Sequence, residues 1–224
     1  TVRLTDSSNQ TPPRCKLRSV IVNMLSFYQR KVFREGTAPM SVRSATTPDF
    51  STPPLELPAD LEPDNPLWRF ALAFWKRPDV QNSCLALQNQ GWSVTRILGA
   101  AWLALSGRVF AGVEDATVTE WRDRVTVALR SARKSLPGSA DNCQKLRTGI
   151  AGLELEAEQI ELALSWRTLM TINPEHADMQ GRDALIINNL FAAAPTLPVE
   201  DDARPLLNTL ADTLAHFPKG DHQP

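Results

Sequence analysis

Residues 64–107 read DNPLWRFALAFWKRPDVQNSCLALQNQGWSVTRILGAAWLALSG, and this stretch decides the fold. Asn65-Pro66 is typical of a helix start, because the asparagine side chain can accept a bond from a free amide and proline fits the first helical position. Gly91 and Gly107 follow apolar runs of helical period, where glycine often ends a helix. The stretch therefore predicts three successive helices that are buried on most of their surface.

Two longer helices are predicted downstream. Thr117-x-x-Glu120 has the form of a capping box, and it precedes a fourth helix that is apolar on one side and rich in arginine on the other. The break at Leu136-Pro137-Gly138 separates it from a fifth helix, from about Asp141 to Met170, that is rich in glutamate. The apolar residues of this fifth helix are spaced by four and three, as in a coiled coil. Its predicted seam consists of Leu146, Ile150, Leu153, Ala157, Ile160 and Leu164.

A basic helix joined to an acidic helix by a short turn predicts an antiparallel hairpin paired by charge as well as by apolar packing. Asn173-Pro174 repeats the pattern of a helix cap, and two shorter helices are expected near 183–194 and from Asp201 or Asp202 to His216. No segment alternates with period two in the manner of a strand. The prediction is an all-α, compact bundle of five to seven helices that includes the long charged hairpin and is preceded by a disordered linker.

Composition divides the chain into four parts. Residues 1–39 hold seven Lys/Arg against two acidic residues, and they are interpreted as a non-native or disordered basic extension, with Met40 as the expected start. A basic amphipathic targeting helix is the alternative for this part. Residues 40–63 form a Pro/Ser/Thr-rich linker. Residues 64–217 are predicted to be a single helical domain, and 218–224 a loose tail.

The overall composition indicates a soluble globular protein, with 42% apolar and 22% charged residues and a formal net charge of −1. Its three widely separated cysteines form no disulfide-dense pattern, so a reducing, cytoplasmic setting is expected. No apolar run approaches the roughly 18–20 residues that cross a bilayer, and no membrane span is predicted. Outside residues 1–39 the chain is acidic, which makes nucleic acid an unfavoured partner.

Three segments together resemble a known family. NPLWRFA at 65–71, CLALQ at 84–88 and LGAAWL at 98–103 are similar to a family of short bacterial proteins of unknown function. The resemblance covers residues 65 to about 165. It implies a helical fold and brings no activity, cofactor or site residue with it.

No catalytic, cofactor-binding or metal-binding residue is predicted. The sequence lacks the glycine-rich phosphate loops and the nucleophile and zinc motifs of common enzymes. Glu154, Glu158 and Glu161 share a helix face that could hold a hard cation, but no Glu-x-x-His pair supports a metal, so a solvated, ion-paired face is expected. His176 with nearby aspartates is a weaker metal hypothesis, and Cys143 a weak candidate for a reactive thiol.

The favoured function is a protein-interaction or adaptor module with an unknown protein partner. Six tryptophans in one helical bundle could leave one or two at a groove that receives a partner. One alternative is a small-molecule binder or enzyme with a pocket between the first and third helices. A further alternative is nucleic-acid binding through the arginine-rich fourth helix. The sequence does not define the oligomeric state. The candidate partner-binding residues are Trp68, Trp75, Trp92, Arg122, Arg130, Glu154 and Glu158.

Overall fold

A computed structural model describes residues 53–138, 141–174, 176, 181–195, 199 and 201–217. The described residues form an all-α bundle of seven helices without strands, which confirms the predicted fold class. None of these helices is long and apolar enough to cross a bilayer. The predictions for residues 1–39, 40–52 and 218–224 lie outside the described residues.

The helices differ in length and regularity. The fourth is interrupted by one π-helical turn, and the fifth is the longest element of the structure. In chain order they are α1 (Pro66–Phe74), α2 (Pro78–Asn89), α3 (Val94–Leu105), α4 (Ala116–Trp121, the π-helical turn Arg122–Thr126, and Val127–Ser135), α5 (Asp141–Ile172), α6 (Arg182–Ala192) and α7 (Ala203–Ala215).

Local sequence signals account for the first three helices. Asn65 Oδ1 accepts a hydrogen bond from Trp68 N at 2.9 Å, and Ser93 Oγ accepts one from Arg96 N at 3.2 Å. The predicted cap at Asn65 is therefore confirmed, and Ser93 caps α3 in the same way. Gly91 and Gly107 adopt φ values of 91° and 71°, a left-handed conformation that glycine reaches without the penalty of a Cβ.

The apolar core lies among α1, α2, α3, α5, α6 and α7. Helix α3 packs against both α6 and α5, and α2 packs against α7. Trp102 of α3 is fully buried and meets Trp166 of α5 edge to face, with ring centroids 5.0 Å apart. Phe217, at the end of α7, closes the same core against the rings of α1. Segments far apart in sequence are thus required to complete one core.

Two buried asparagines fix the loop between α3 and α4. Asn189 Oδ1 accepts from Phe110 N at 2.9 Å, and its amide donates to the carbonyls of Ala100 and Arg108. Asn173 Oδ1 accepts from Ala111 N at 3.0 Å. The prediction that Asn173 caps a helix is wrong, because its side-chain oxygen accepts a hydrogen bond from this loop instead.

The start of α4 also differs from its prediction. Asp115 is the N-cap, and its Oδ1 accepts from Thr117 N at 2.9 Å, so Thr117 lies inside the helix and the predicted capping box is not formed. Aspartate is preferred over threonine at the cap position.

The end of the predicted linker is held against the bundle. Gln159 of α5 donates to the Pro63 carbonyl at 3.2 Å, and Arg124 of α4 donates to the Pro53 carbonyl at 2.6 Å. Arg167 pairs with Asp60 at 3.0 Å. The high proline content had predicted a disordered linker here, whereas residues 53–63 run without regular secondary structure along α4 and α5.

Candidate functional site

The predicted hairpin is present, but its interior is charged. Helices α4 and α5 pack against each other with arginines of α4 facing glutamates of α5. One buried row of α5 is spaced by four and three, as predicted, yet each of its members lies one residue after the expected apolar position. They are Arg147, Ala151, Glu154, Glu158, Glu161 and Ser165.

The predicted apolar seam is therefore wrong in phase. Leu146 and Leu153, expected inside, are 54% and 52% exposed, while Ala157 and Leu164 are buried. The expectation of a solvated glutamate face is also wrong, because Glu154, Glu158 and Glu161 are buried. Their ion pairing is confirmed. Buried carboxylates are tolerated when each has hydrogen-bonding partners, and here arginines and threonines supply them.

Glu161 is the centre of the first cluster of charges. Its carboxylate accepts from Arg122 Nε at 2.7 Å and from the Thr126 hydroxyl at 2.8 Å, and the Thr95 hydroxyl donates to it as well. Arg122 also pairs with Glu114 at 2.6 Å. The second oxygen of Glu114 accepts from Arg96 at 2.6 Å. The cluster thus joins α3, the loop before α4, α4 and α5.

The second cluster lies nearer the turn of the hairpin. Arg130 donates to Glu154 at 2.8 Å and to Glu158 at 2.6 Å, and Arg133 donates to the second oxygen of Glu154 at 2.6 Å. Arg147 donates to the carbonyls of Arg133, at 2.9 Å, and Leu136. A guanidinium there satisfies carbonyls that the end of a helix leaves free.

The π-helical turn keeps the arginines of α4 on one face. Val118, Arg122, Thr126 and Arg130 are spaced by four, and all point into the hairpin. In a regular α-helix, three steps of four residues drift by about 120° around the axis. A π-turn has more residues per turn, so it absorbs part of this drift. The insertion is what brings Arg122 and Arg130 to the same row of glutamates.

Burial and pairing shift three pKa values in this interior. Burial alone would raise the pKa of Glu114, but the adjacent Arg122 and Arg96 outweigh it and hold that pKa below its usual range. Burial alone would lower the pKa of Arg122, and its bonds to Glu114 and Glu161 raise it instead. Glu158 differs: burial raises its pKa to about 7, Arg130 opposes this, and Glu154 and Glu161 add to it.

Glu158 should make stability depend on pH. Its folded pKa of about 7 lies above the ordinary value of 4.5, so the folded state holds a proton that the unfolded state has lost, and stability falls as pH rises between these values. Glu158→Gln imitates the protonated form. The stability of this variant minus that of the wild type should therefore increase by about 2–3 kcal/mol from about pH 5 to about pH 8 in urea unfolding.

Comparison with Asp123→Asn, an exposed position on α4, separates this effect from those of other carboxyl groups. A stability difference for Glu158→Gln that stays level across this pH range would contradict the raised pKa.

The outer surface of the hairpin is apolar where its interior is charged. We define the arm as Val127–Ser135 of α4 and Leu136 directly after it, with residues 142–154 of α5. Arg133, Arg147 and Glu154 of the arm are buried, whereas Leu146 and Leu153 are exposed. Soluble helices normally have the opposite arrangement, with the apolar stripe inside and the charges outside.

The apolar residues of the two helices lie on the same side of the arm. In α4 each apolar residue of this side directly precedes a charged residue that faces inward, as Leu129 precedes Arg130. In α5 Ile150 likewise directly precedes an inward position, that of the buried Ala151. One residue is a turn of about 100°, and in an antiparallel pair this turn leads to the same side from both helices. We call this surface the arm face; it comprises Leu129, Ala132, Leu136, Leu146, Ile150 and Leu153.

The candidate partner-binding residues are placed in two groups. Trp68, Trp75 and Trp92 are buried in the core. The structure brings the other four together in the charged interior, where each is ion-paired. All seven are largely enclosed, so a direct role in partner binding stays a prediction. These four are Arg122, Arg130, Glu154 and Glu158.

The sequence reading missed the arm face and several members of the charged clusters. Leu146, Ile150 and Leu153 were recognised as a stripe but were assigned to the interior. Arg147 and Glu114 could not be predicted from the sequence, because an isolated charged residue does not indicate which residue it will bind in the fold. One signal in the sequence points to the exposed apolar row. In both helices a row of charged residues lies one position after the apolar row, and this charged row is basic in α4 and mainly acidic in α5.

Comparison with known proteins supports the resemblance at the level of a family. Residues 66–164 match a family described as "Protein of unknown function (DUF2390)". The matched segment begins with α1 and ends within α5, so it contains the whole arm. No curated protein and no solved structure matches the chain.

Proposed function

We propose that this chain is a protein-interaction module that binds a protein partner through the arm face. The observation that carries this proposal is the inverted arm, in which Arg133, Arg147 and Glu154 are buried while Leu146 and Leu153 are about half exposed. Full burial of a leucine side chain contributes about 1.5–3 kcal/mol, and each of these half-exposed leucines forfeits part of that free energy. A surface that covers them recovers it.

The architecture of the arm supports the same conclusion. Val127–Ser135 packs chiefly against α5, so the arm is two helices thick and has little apolar interior of its own. Domains are usually stabilised by burying the apolar stripe of every helix against another element. A groove with apolar residues at helical spacing is a common docking surface for an amphipathic helix. An added helix on the arm face would complete a packed layer there.

The nucleic-acid alternative receives less support from the same residues. Arg122, Arg130 and Arg133 point into the hairpin and are paired with glutamates. Phosphate binding needs arginines that can leave their present partners for the ligand. Arg124 pairs with Glu120 and also bonds to the Pro53 carbonyl. These arginines of α4 therefore stabilise the fold through their bonds to other residues of the chain.

A small-molecule site between α1 and α3 is the second candidate, and one observation favours it. The buried indole N–H groups of Trp68 and Trp102 have no hydrogen-bond acceptor among the described residues. Buried donors without a partner are rare and can mark the place of a water or ligand. A screen of small molecules for quenching of tryptophan fluorescence, repeated with Trp68→Phe, would test this alternative.

For the setting of the function we propose the bacterial cytoplasm. Cys84 and Cys143 are free thiols, and burial raises the pKa of Cys84 to about 12, which keeps it protonated and unreactive. Unpaired cysteines suit a reducing compartment. The bacterial origin rests on the sequence resemblance.

A photo-crosslinking amino acid at a single position tests the proposed function. Placed at Leu146 or Leu153 of the full chain, in the cells that encode it, it should give discrete covalent adducts, because both side chains would lie in the interface. Val113, which is 57% exposed and lies outside the arm, provides the control position. Adducts are detected by immunoblot and identified by mass spectrometry.

Equal adduct patterns at Leu146, Leu153 and Val113, or no adduct at either arm position, would contradict the proposal. The adduct should also disappear when Ile150→Glu is combined with the crosslinker at Leu153, because a charge at the centre of the arm face would have to be buried in the complex.

A further inference from the structure

We infer that the partner bound by the arm is a second copy of this chain, paired in antiparallel fashion along α5. This inference rests on the proposed function and specifies its partner. The surface that carries it is the outward face of α5, on which every position is exposed or half-buried. We call it the α5 stripe; it comprises Lys145, Leu146, Gly149, Ile150, Gly152, Leu153 and Glu156.

The charges and glycines of the α5 stripe are arranged symmetrically about the point between Ile150 and Ala151. Lys145 lies on one side of this point and Glu156 at the same distance on the other. Gly149 and Gly152 are likewise equidistant from it. A two-fold axis through this point would set Lys145 of one copy opposite Glu156 of the other, and Gly149 opposite Gly152. Self-complementarity of this kind is the requirement for a two-fold symmetric interface.

No contact with another described residue explains the two glycines. Both lie inside a long helix, where glycine costs about 0.5–1 kcal/mol relative to alanine. A Cβ added at either position would meet nothing within 4 Å. Neither glycine adopts a positive φ, so no backbone strain demands it. Their small size leaves room for another helix to approach the backbone closely, and this room lies at the centre of the symmetric arrangement.

The two end charges favour the antiparallel arrangement over a parallel one. Parallel pairing would place Lys145 against Lys145 and Glu156 against Glu156, which is repulsive. Neither side chain forms an ion pair with another described residue. Leu146 and Leu153 supply apolar area between them. The stripe is about 16 Å long, which fits a reversible dimer better than a large obligate interface.

Charge exchange between the two positions tests this inference in the full chain. The wild type should show a concentration-dependent monomer–dimer equilibrium in sedimentation velocity. Lys145→Glu alone sets its new carboxylate opposite Glu156 of the other copy, twice in each dimer, and dimerisation should weaken by about tenfold or more. Glu156→Lys alone should weaken it similarly, through two lysine pairs. Helix content by circular dichroism should stay unchanged in both, because these side chains are exposed.

Recovery of dimerisation is the decisive outcome. A chain with both Lys145→Glu and Glu156→Lys should dimerise again, because the reversed pairs are complementary. An equimolar mixture of the two single variants should form heterodimers, since one carries two acidic and the other two basic residues at these positions. No interface other than an antiparallel pair of these stripes predicts recovery in both experiments.

The inference is overturned if the wild type is monomeric over the whole concentration series, if the single variants dimerise as well as the wild type, or if neither recovery occurs. Its failure can be told apart from that of the proposed function. Adducts at Leu146 and Leu153 with a different protein would reject self-association and leave the interaction module standing, whereas the absence of any adduct at the arm would reject both.

Discussion

Glu161→Ala should lower the free energy of unfolding by about 3–5 kcal/mol, one of the two largest effects expected for a single substitution here. The Glu161 side chain is 0% exposed and accepts bonds from Arg122 and from the hydroxyls of Thr126 and Thr95. Removing its carboxylate would leave the Arg122 guanidinium buried with only Glu114, and both hydroxyls without this acceptor. The loss of stability arises from these buried polar groups that no longer have a partner, and urea unfolding at neutral pH measures it.

The exposed pair Arg124–Glu120 is a matched control. Its N–O distance of 2.7 Å equals that of Arg122–Glu161, but Glu120 is exposed to solvent. Glu120→Ala should therefore cost less than about 1 kcal/mol. The combined substitution Arg122→Met with Glu161→Leu should have a free energy of unfolding closer to that of the wild type than Glu161→Ala has. It removes both charges of this pair, so neither is left buried without the other. Equal losses for Glu161→Ala and Glu120→Ala would show that the charged interior is open to water.

Trp102→Ala should be about as destabilising, by about 3–5 kcal/mol, for a different reason. Trp102 is fully buried in α3 and packs edge to face on Trp166. It lies where α3 meets both α5 and α6, so its removal would open a cavity that three helices border. Truncation of a large core residue loses both its transfer free energy and the contacts across the cavity. Thermal and urea unfolding should both report the loss.

Val113→Ala provides the comparison for an apolar residue outside the core. Its side chain is 57% exposed, and the change should lie within about 0.5 kcal/mol of the wild type. A Trp102→Ala variant that loses less than about 1 kcal/mol would mean that neighbouring side chains collapse into the space, and the packing described for α3 would then be wrong.

The parts of the fold that the sequence predicts are those decided by neighbouring residues. Asn65 and Ser93 each meet an amide three residues away, and Gly91 needs nothing beyond its own backbone freedom. Such interactions are complete within one helical turn. The all-α class follows from the same local periodicity, and so does the existence of the charged hairpin.

The errors concern interactions between distant residues. Asn173 was read as a cap because of the proline beside it, but its partner is Ala111, 62 residues away. Arg96 of α3 is bound to Glu114, 18 residues away, and to the Gly112 carbonyl, 16 residues away. Nothing near these residues in sequence specifies such partners.

The phase of the α5 seam is the most instructive error, because two readings of one spacing compete. Apolar residues at steps of four and three normally mark the buried row, and charged residues at the next position mark the solvent row. Here the arginines of α4 supply enough partners to bury the charged row, and in the N-terminal half of α5 the apolar row turns outward, at Leu146 and Leu153. A sequence-based rule that ranks helix faces by hydrophobicity cannot detect this reversal from one helix alone.

The packing of α2 on α7 and of α3 on α6 has a consequence during synthesis of the chain. Ribosomes add residues at roughly 5–20 per second, so α3 is complete several seconds before α6 is finished. During that interval the apolar face of α3 that α6 covers in the folded chain has no partner. The apolar surfaces that α6 and α7 cover in the folded chain therefore stay exposed in the nascent chain until residues 182–215 have been synthesised.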